Sequence, residues 1–219
     1  MGKIFYMMGK SSSGKDTIFE KIIQKKELEL HQIVLYTTRP ARANETDGVQ
    51  YHFVDEARLL ELQKAGKVIE LRAYQVVGGV WKYFTVDDEQ TDLKNKNYLA
   101  IGTLVSYKKL RDYYGEEKLV PIYIEVENGE RLARALERER GQNQPNYDEL
   151  CRRFLADNAD FSEENLTRAG IKKNVFKIKN CRSAWRKSQY LFQKRLGKAG
   201  CLCYNKKSLS RRMMKSREG

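Results

Sequence analysis

The sequence predicts an α/β fold: a doubly wound parallel sheet into which a smaller, mostly antiparallel region is inserted. Short apolar runs alternate along the 219 residues with segments whose apolar positions repeat at helical spacing. This alternation is typical of parallel sheets with helices on both faces. The first apolar run, residues 4–8, leads through a glycine-bounded loop into a helical segment. That order of strand, loop and helix is the context that a phosphate-binding loop requires.

The loop at residues 9–17 places small polar residues between two glycines and a lysine directly after the second glycine. Gly9 and Gly14 permit backbone angles closed to other residues, so that successive N–H groups can turn inward around a polyphosphate. The helix N-terminus adds partial positive charge, and Lys15 adds a full one. We predict that ATP is bound by the whole loop: Gly9, Lys10, Ser11, Ser12, Ser13, Gly14, Lys15, Asp16 and Thr17.

Asp16 stands where such loops usually carry a Ser or Thr whose hydroxyl contacts Mg²⁺. A carboxylate is also a hard oxygen ligand for this ion, and Thr17 follows it directly. We therefore expect Asp16 or Thr17 to contact a magnesium ion that bridges the β- and γ-phosphates of ATP.

The region at about 37–86 reads as the antiparallel insertion, because its strand-like runs are short and are separated by turn residues. Strands are predicted in and before it at 33–36, 49–54, 68–74 and 80–85. Asp55 is expected to cap a helix that reaches about Gly66 and buries Leu59, Leu60 and Leu62. Gly78 and Gly79 are predicted to form a hairpin turn.

The parallel core is predicted to resume after the insertion. The expected strands lie at 98–101, 119–126 and 175–178, and the expected helices at 107–114, 130–141 and 147–159.

The composition suits one globular domain without a membrane span. No apolar run approaches the roughly 20 residues that cross a bilayer, and the N-terminal run is too short for a secretory signal, so we expect a cytoplasmic protein. The four cysteines lack the paired spacing of zinc knuckles, and a zinc site is not expected.

Most of the net charge of +13 lies in the C-terminal tail. Twelve of the 42 Lys and Arg residues lie at 182–219, beside the single acidic residue Glu218. We predict a basic final helix followed by a partly disordered arm. Such an arm can bind nucleic acid non-specifically, although a solvated tail without a dedicated partner is the simpler interpretation.

Three parts of the sequence resemble guanylate kinases in order and spacing: the phosphate loop, the string at 37–54, and the run at 68–70. The string has the pattern TTRxxRxxE followed by DGxxYxF, and it is much more specific than the loop, which many NTPases share. The similarity extends from residue 2 to about residue 160. It implies a P-loop kinase domain at 1–181, with a GMP-binding insert at about 37–86 and an arginine lid at about 130–155. The implied reaction transfers a phosphoryl group from ATP to GMP, with dGMP as a second substrate.

The acceptor phosphate is expected to contact two arginines and two tyrosines. Arg39 and Arg42, on a segment that Pro40 stiffens, can converge on one phosphate with bidentate geometry. Tyr51 and Tyr83 can each donate a hydroxyl to the same group. In the family that the sequence resembles, the corresponding residues hold the phosphate of GMP.

Glu70 is predicted to select the base. A carboxylate accepts two hydrogen bonds, and guanine offers N1–H and its exocyclic amine side by side, whereas adenine has no such pair. Thr85 falls where the resembled family has a hydroxyl beside the base. A serine and an aspartate that help to recognise guanine in that family are not matched. Their positions fall at Leu35 or Tyr36 and near Gly102, so the base specificity is expected to depend mainly on Glu70.

The arginine-rich helices resemble a lid that closes over the transferred group. Moving a phosphoryl group between two anions needs cations that neutralise developing charge, and late closure excludes water. Arg140 and Arg153 align best with this role, with Arg138 as a rival for Arg140. The predicted catalytic residues are therefore Lys15, Arg39, Arg140 and Arg153. No general base is needed, because a phosphate monoester with a second pKa of about 6 is already an anion at neutral pH.

Two alternatives remain open from the sequence. The Gly-Lys-Asp-Thr ending of the loop also resembles ribose 1,5-bisphosphate kinases, although Glu70 and the string at 37–54 argue against that acceptor. A non-catalytic interaction module related to guanylate kinases is the other alternative. Such modules typically lose the loop lysine, whereas Lys15 is present.

Overall fold

The computed structural model describes residues 1–76, 79–88 and 91–171. Its strands are β1 (Ile4–Met8), β2 (Leu30–Gln32), β3 (Leu35–Thr37), β4 (Tyr51–Phe53), β5 (Val68–Val76), β6 (Gly79–Val86), β7 (Asn97–Gly102) and β8 (Leu119–Tyr123). Its helices are α1 (Lys15–Ile23), α2 (Glu56–Lys64), α3 (Leu104–Tyr114), α4 (Asn128–Arg140), α5 (Tyr147–Asp160) and α6 (Glu163–Arg168).

The core sheet has the strand order β2-β7-β1-β8, and all of its strand pairs are parallel. Every residue of β1 is buried, because side chains of a strand alternate between two faces and both faces are covered. Ile4 and Met8 pack with residues of α3, whereas Phe5 and Met7 pack with residues of α1. The prediction of an α/β fold with helices on both faces of a parallel sheet is confirmed.

The insert sheet has the order β4-β3-β6-β5. β6 runs antiparallel to both β3 and β5, while β3 and β4 are parallel. α2 covers one face of this sheet by packing Leu59 and Leu62 against Phe84 and Val86. The side chain of Asp55 caps α2 by accepting a hydrogen bond from the Arg58 N–H at 2.7 Å, as the sequence predicts.

Several local predictions were wrong. The predicted strand at 33–36 forms only in its second half, as part of β3, while β2 lies before it. Residues 33 and 34 belong to neither strand, because the chain passes there from the core sheet to the insert sheet. Leu60 is 51% exposed rather than buried, since it lies about 100° around the helix from Leu59. β8 ends at Tyr123, although Ile124 remains buried beyond it. α6 was not predicted.

Three predictions lie wholly or partly outside the described residues: the turn at Gly78, the strand at 175–178 and the tail at 182–219. Within the described part of the chain, the structure contains no helix long and apolar enough to cross a membrane.

Candidate active site

The phosphate loop joins β1 to α1 and owes its shape to two glycines that act differently. Gly14 has a φ of 79° and directly precedes α1, so it adopts the left-handed conformation that glycine tolerates best. Gly9 does not have a positive φ. A Cβ atom there would lie 2.7 Å from the carbonyl oxygen of Ile124, so this position needs glycine because of a close backbone approach.

Lys15 and Asp16 lie together at the start of α1. The Lys15 ammonium is 3.1 Å from the Asp16 carboxylate, whose side chain is 73% exposed. Thr17 is also exposed. The Asp16 carboxylate is accessible and lies beside the cation expected to meet phosphates, so its position fits a ligand for Mg²⁺ that is shared with a polyphosphate.

Arg131 links the phosphate loop to helices α4 and α5, and sequence reasoning missed this role. Its side chain is 1% exposed and donates from Nε to the Ser11 carbonyl at 3.0 Å. It also donates to Asp157 at 3.3 Å and lies over the Phe154 ring at 4.7 Å. Asp157 in turn accepts a hydrogen bond from the Ser11 N–H at 2.7 Å. Both backbone groups of Ser11 are therefore held by one buried ion pair.

The neighbouring Lys10 belongs to the same network. Its ammonium donates to the Asn158 side chain at 2.8 Å. Burial and then the charge of Arg131 lower the pKa of Lys10 below its usual value. Lys10 thus fixes the loop to α5 through a hydrogen bond, whereas Lys15 remains at the mouth of the loop.

The signal for Arg131 was present in the sequence but does not follow a hydrophobic pattern. α4 buries Arg131, Ala135 and Glu139, which repeat every four residues and share one face of the helix. Two of these three residues are charged, so a search for apolar periodicity predicts a solvated helix instead.

A cavity of about 160 Å³ lies between the phosphate loop and the lid helices. Its lining includes Ser11, Ser12, Arg138 and Arg153. Arg140 does not line it, because residues two apart on a helix point about 200° apart. The structure therefore favours Arg138, the rival in the sequence analysis, as the arginine of α4 that faces the loop.

Arg153 and Arg152 are both held by Glu149, which accepts from their Nε atoms at 2.7 and 2.6 Å. Hydrogen bonds from Arg152 and then from Arg153 lower the pKa of Glu149 to about 2. The Arg153 side chain is 60% exposed and borders the cavity while it is paired with Glu149.

The second face of the insert sheet, opposite α2, carries the predicted acceptor residues. Strand register pairs Thr37 with Tyr83, Arg72 with Tyr83 and Glu70 with Thr85. The Tyr51 and Tyr83 rings lie 5.6 Å apart. The structure thus gathers Tyr51, Tyr83, Glu70 and Thr85 on one surface.

Asp16, at the start of α1, acts electrostatically on this surface. Burial and then the neighbouring Tyr83 raise the pKa of Tyr51, and the charge of Asp16 contributes to the rise. Asp16 therefore lies within electrostatic range of the acceptor surface.

Arg39 and Arg42 do not converge in this structure. The Arg39 side chain is 3% exposed and forms a two-pronged ion pair with Glu45, with both N–O distances at 2.8 Å. The Arg42 side chain is exposed, and only its backbone N–H contacts Glu45, at 2.9 Å. Hydrogen bonds from Arg39 and from the Arg42 backbone lower the pKa of Glu45 to about 2.

Arg39 nevertheless retains a donor for a ligand. Its guanidinium lies over the Tyr51 and Phe53 rings, at 5.5 and 5.4 Å from their centres. Its Nε is buried and has no hydrogen-bond partner among the described residues. A buried donor without a partner is costly, and a phosphate oxygen beside Tyr51 would satisfy it.

Glu70 lies on the same surface, and both oxygens of its carboxylate accept hydrogen bonds. Its carboxylate accepts from Arg72 Nε at 3.0 Å, from Arg72 Nη2 at 3.2 Å and from the Thr85 hydroxyl at 2.9 Å. Only 2% of the Glu70 side chain is exposed. Sequence reasoning placed Glu70 and Thr85 here but gave Arg72 no role.

The position near Gly102, where an aspartate was expected from the resemblance, is closed by Tyr6. A Cβ atom on Gly102 would lie 2.0 Å from the Tyr6 hydroxyl oxygen. That hydroxyl shares a hydrogen bond of 2.6 Å with Ser106. No side chain larger than glycine fits here without a shift of Tyr6.

Comparison with known proteins identifies the family of the chain. Residues 1–163 match the family model for guanylate kinase. The chain is 28% identical over 183 residues to a guanylate kinase of Malacoplasma penetrans, covering 82% of this chain and 81% of that protein. It is 42% identical over 64 residues to a guanylate kinase of Frankia casuarinae, which covers 29% of this chain and 34% of that protein.

The fold is also shared with a solved structure. The crystal structure of guanylate kinase from Anaplasma phagocytophilum superposes with a TM-score of 0.56 at 22% sequence identity, covering 99% of this chain and 95% of that chain. The chain belongs to the guanylate kinase family of nucleoside monophosphate kinases.

Proposed function

We propose that the protein transfers the γ-phosphoryl group of ATP to GMP, and to dGMP, yielding ADP and GDP. The observation that supports this proposal is the polar face of the insert sheet, which brings a buried carboxylate, Glu70, and a buried arginine, Arg39, to the same surface as Tyr51 and Tyr83. Glu70 supplies acceptors for the N1–H and amine of guanine. Arg39 supplies the unsatisfied Nε donor for the acceptor phosphate. The insert at about 37–86 is thus the acceptor-binding region.

The donor side of the reaction uses the loop and the lid at about 130–155. Lys15 and the loop amides hold the phosphates of ATP, and Arg138 and Arg153 line the cavity above Ser11 and Ser12. These cations neutralise the charge that spreads over the transferred group. The acceptor phosphate is its own nucleophile, so proton removal by the protein is unnecessary.

Mg²⁺ is the cofactor that this chemistry needs, and Asp16 is the side chain that fits it best. The ion would neutralise phosphate charge when ATP is bound. Mg²⁺ commonly takes one or two carboxylates together with substrate phosphates, and the exposed Asp16 carboxylate beside Lys15 meets that description.

A coupled assay of ADP formation tests the proposal with GMP, dGMP, AMP, UMP and ribose 1,5-bisphosphate as acceptors. We expect GMP and dGMP to be used and the other acceptors to be poor. Replacing Glu70 by glutamine should raise the KM for GMP about 10- to 100-fold, because one charge-assisted hydrogen bond of roughly 1.5–3 kcal/mol is lost. The kcat should change little.

The matched control is Glu61→Gln, which removes an exposed carboxylate paired with Arg58 at 2.9 Å in the same insert. That variant should leave both constants unchanged. Faster turnover of ribose 1,5-bisphosphate than of GMP would instead assign the protein to that alternative. Failure to bind ATP by calorimetry with Mg²⁺ present would favour a non-catalytic module.

A further inference from the structure

Arg72 forms an ion pair in this structure with Glu70, the carboxylate proposed to bind the guanine base. Arg72 and Glu70 are two residues apart on β5, so they share one face of the strand. Arg72 approaches Glu70 with Nε and Nη2, at 3.0 and 3.2 Å from the two carboxylate oxygens. The pair is secluded, since 14% of the Arg72 side chain and 2% of the Glu70 side chain are exposed.

Arg72 binds the same edge of the Glu70 carboxylate that guanine would bind. The guanidinium presents two parallel N–H groups attached to one carbon through Nε and Nη2. Guanine presents the same unit, because its N1–H and its amine are both attached to C2. A carboxylate has one edge from which both oxygens can accept such a parallel pair. Glu70 therefore cannot make the two-pronged contact with Arg72 and with guanine at the same time.

We propose that Arg72 is a specificity-determining residue, an internal occupant of the Glu70 carboxylate that the guanine base of the acceptor must displace. This inference depends on the proposed use of GMP. A ligand with a single donor at this edge does not replace both hydrogen bonds and leaves Arg72 in place. A base with the parallel donor pair replaces both of them. The arginine thus rejects acceptors that offer one hydrogen bond.

Arg72 keeps its charge during the exchange, because arginine is not deprotonated in proteins. Burial lowers the pKa of Arg72 and the Glu70 carboxylate raises it, with a net rise above its usual value in the paired state. Thr85 continues to donate to Glu70 from the opposite strand at 2.9 Å. The carboxylate therefore stays oriented by Thr85 when Arg72 leaves it.

The pairing of Arg72 with Glu70 should raise the apparent dissociation constant for GMP by the inverse of the fraction of time for which the carboxylate is free. If Arg72 releases Glu70 about one tenth of the time, its removal should tighten GMP binding about 10-fold. The experiment measures the dissociation constant for GMP by calorimetry, and its KM in the ADP-forming assay, for wild type and Arg72→Ala. We expect both to fall about 10-fold in the variant, with kcat unchanged, and the discrimination between GMP and AMP to narrow.

Guanidinium chloride at low millimolar concentration gives an independent measurement. In Arg72→Ala the free ion should fill the vacated position, compete with GMP and restore the higher KM, whereas wild type should be insensitive. A purely structural role for Arg72 would not produce this competition. If Arg72→Ala does not fold, Arg72→Lys keeps the charge but cannot make the two-pronged pair, and it should show a smaller fall in KM. The control is Arg58→Ala, which removes an exposed arginine of α2.

A KM for GMP that is unchanged or higher in Arg72→Ala, without guanidinium competition, overturns the role of Arg72 but leaves the proposed function intact. If wild type neither binds nor phosphorylates GMP, the proposed function fails and the inference about Arg72 fails with it. The wild-type measurement therefore separates the two failures.

Discussion

Replacing Lys15 by alanine is expected to lower kcat for phosphoryl transfer by roughly 10²- to 10³-fold, the effect of removing one preorganised charge from a transition state. Lys15 begins α1 and lies beside Asp16 at the mouth of the phosphate loop. Its proposed role there is to neutralise the charge that develops on the transferred group. The measurement is steady-state ADP formation with saturating ATP and GMP, together with the dissociation constant for ATP.

The control for this substitution is Lys21→Ala, which removes an exposed lysine from the last turn of the same helix. Its kcat should remain within about two-fold of wild type, because surface charges away from a site contribute little. Equal kcat values in Lys15→Ala and wild type would contradict the assignment of Lys15 to catalysis. A fall in kcat with unchanged ATP affinity would show that the lysine acts mainly in the transition state.

Replacing Arg131 by alanine is expected to destabilise the fold by about 3 kcal/mol, because it leaves the partly buried Asp157 carboxylate without its partner. For a protein of this size, that loss lowers Tm by roughly 6–12 °C. Arg131 also holds the Ser11 carbonyl at 3.0 Å, so the phosphate loop should loosen and the KM for ATP should rise. Urea and thermal denaturation measure the stability, and the ADP-forming assay measures the KM.

Arg134→Ala is the matched control, since Arg134 lies one turn further along α4 and pairs with the more exposed Glu130 at 2.6 Å. An exposed i,i+4 pair contributes about 0.2–0.5 kcal/mol, so Tm should fall by no more than about 2 °C. If the two variants lost the same stability, the buried network around Ser11 would not be the anchor of the loop.

The local pattern was sufficient for the main elements of the fold. β1 and α1 were expected from an apolar run, two glycines and helical spacing, and they lie as predicted. Those features depend on residues close together in the chain. Helical hydrogen bonds join residues four apart, side chains alternate along a strand, and a tight loop requires glycine at particular positions. The same reasoning misassigned residues 33–36, because an apolar run does not specify which of two sheets it joins.

The same reasoning predicted only part of the candidate site. Glu70 and Thr85 were placed on one surface from the family resemblance, and the register of β5 and β6 brings them together. Sequence reasoning did not distinguish Arg138 from Arg140. In the structure Arg138 lies on the side of α4 that lines the cavity. The pairing of Arg39 with Glu45 was not expected, because the sequence analysis assigned Arg39 to the acceptor phosphate and gave Glu45 no role.

The amino-acid sequence predicted a phosphate-binding loop, an α/β core with an insert, and a carboxylate suited to guanine, since each depends on residue type and short spacing. Packing between segments that are distant in the chain determines which groups pair with the buried charges. Arg131 contacts Ser11 and Asp157, and Arg72 contacts Glu70. A buried charge must find a counterion or a hydrogen-bond partner within a few ångströms. Which group supplies it depends on how β5, α4 and α5 meet the phosphate loop and the core sheet, and no short stretch of residues contains that information.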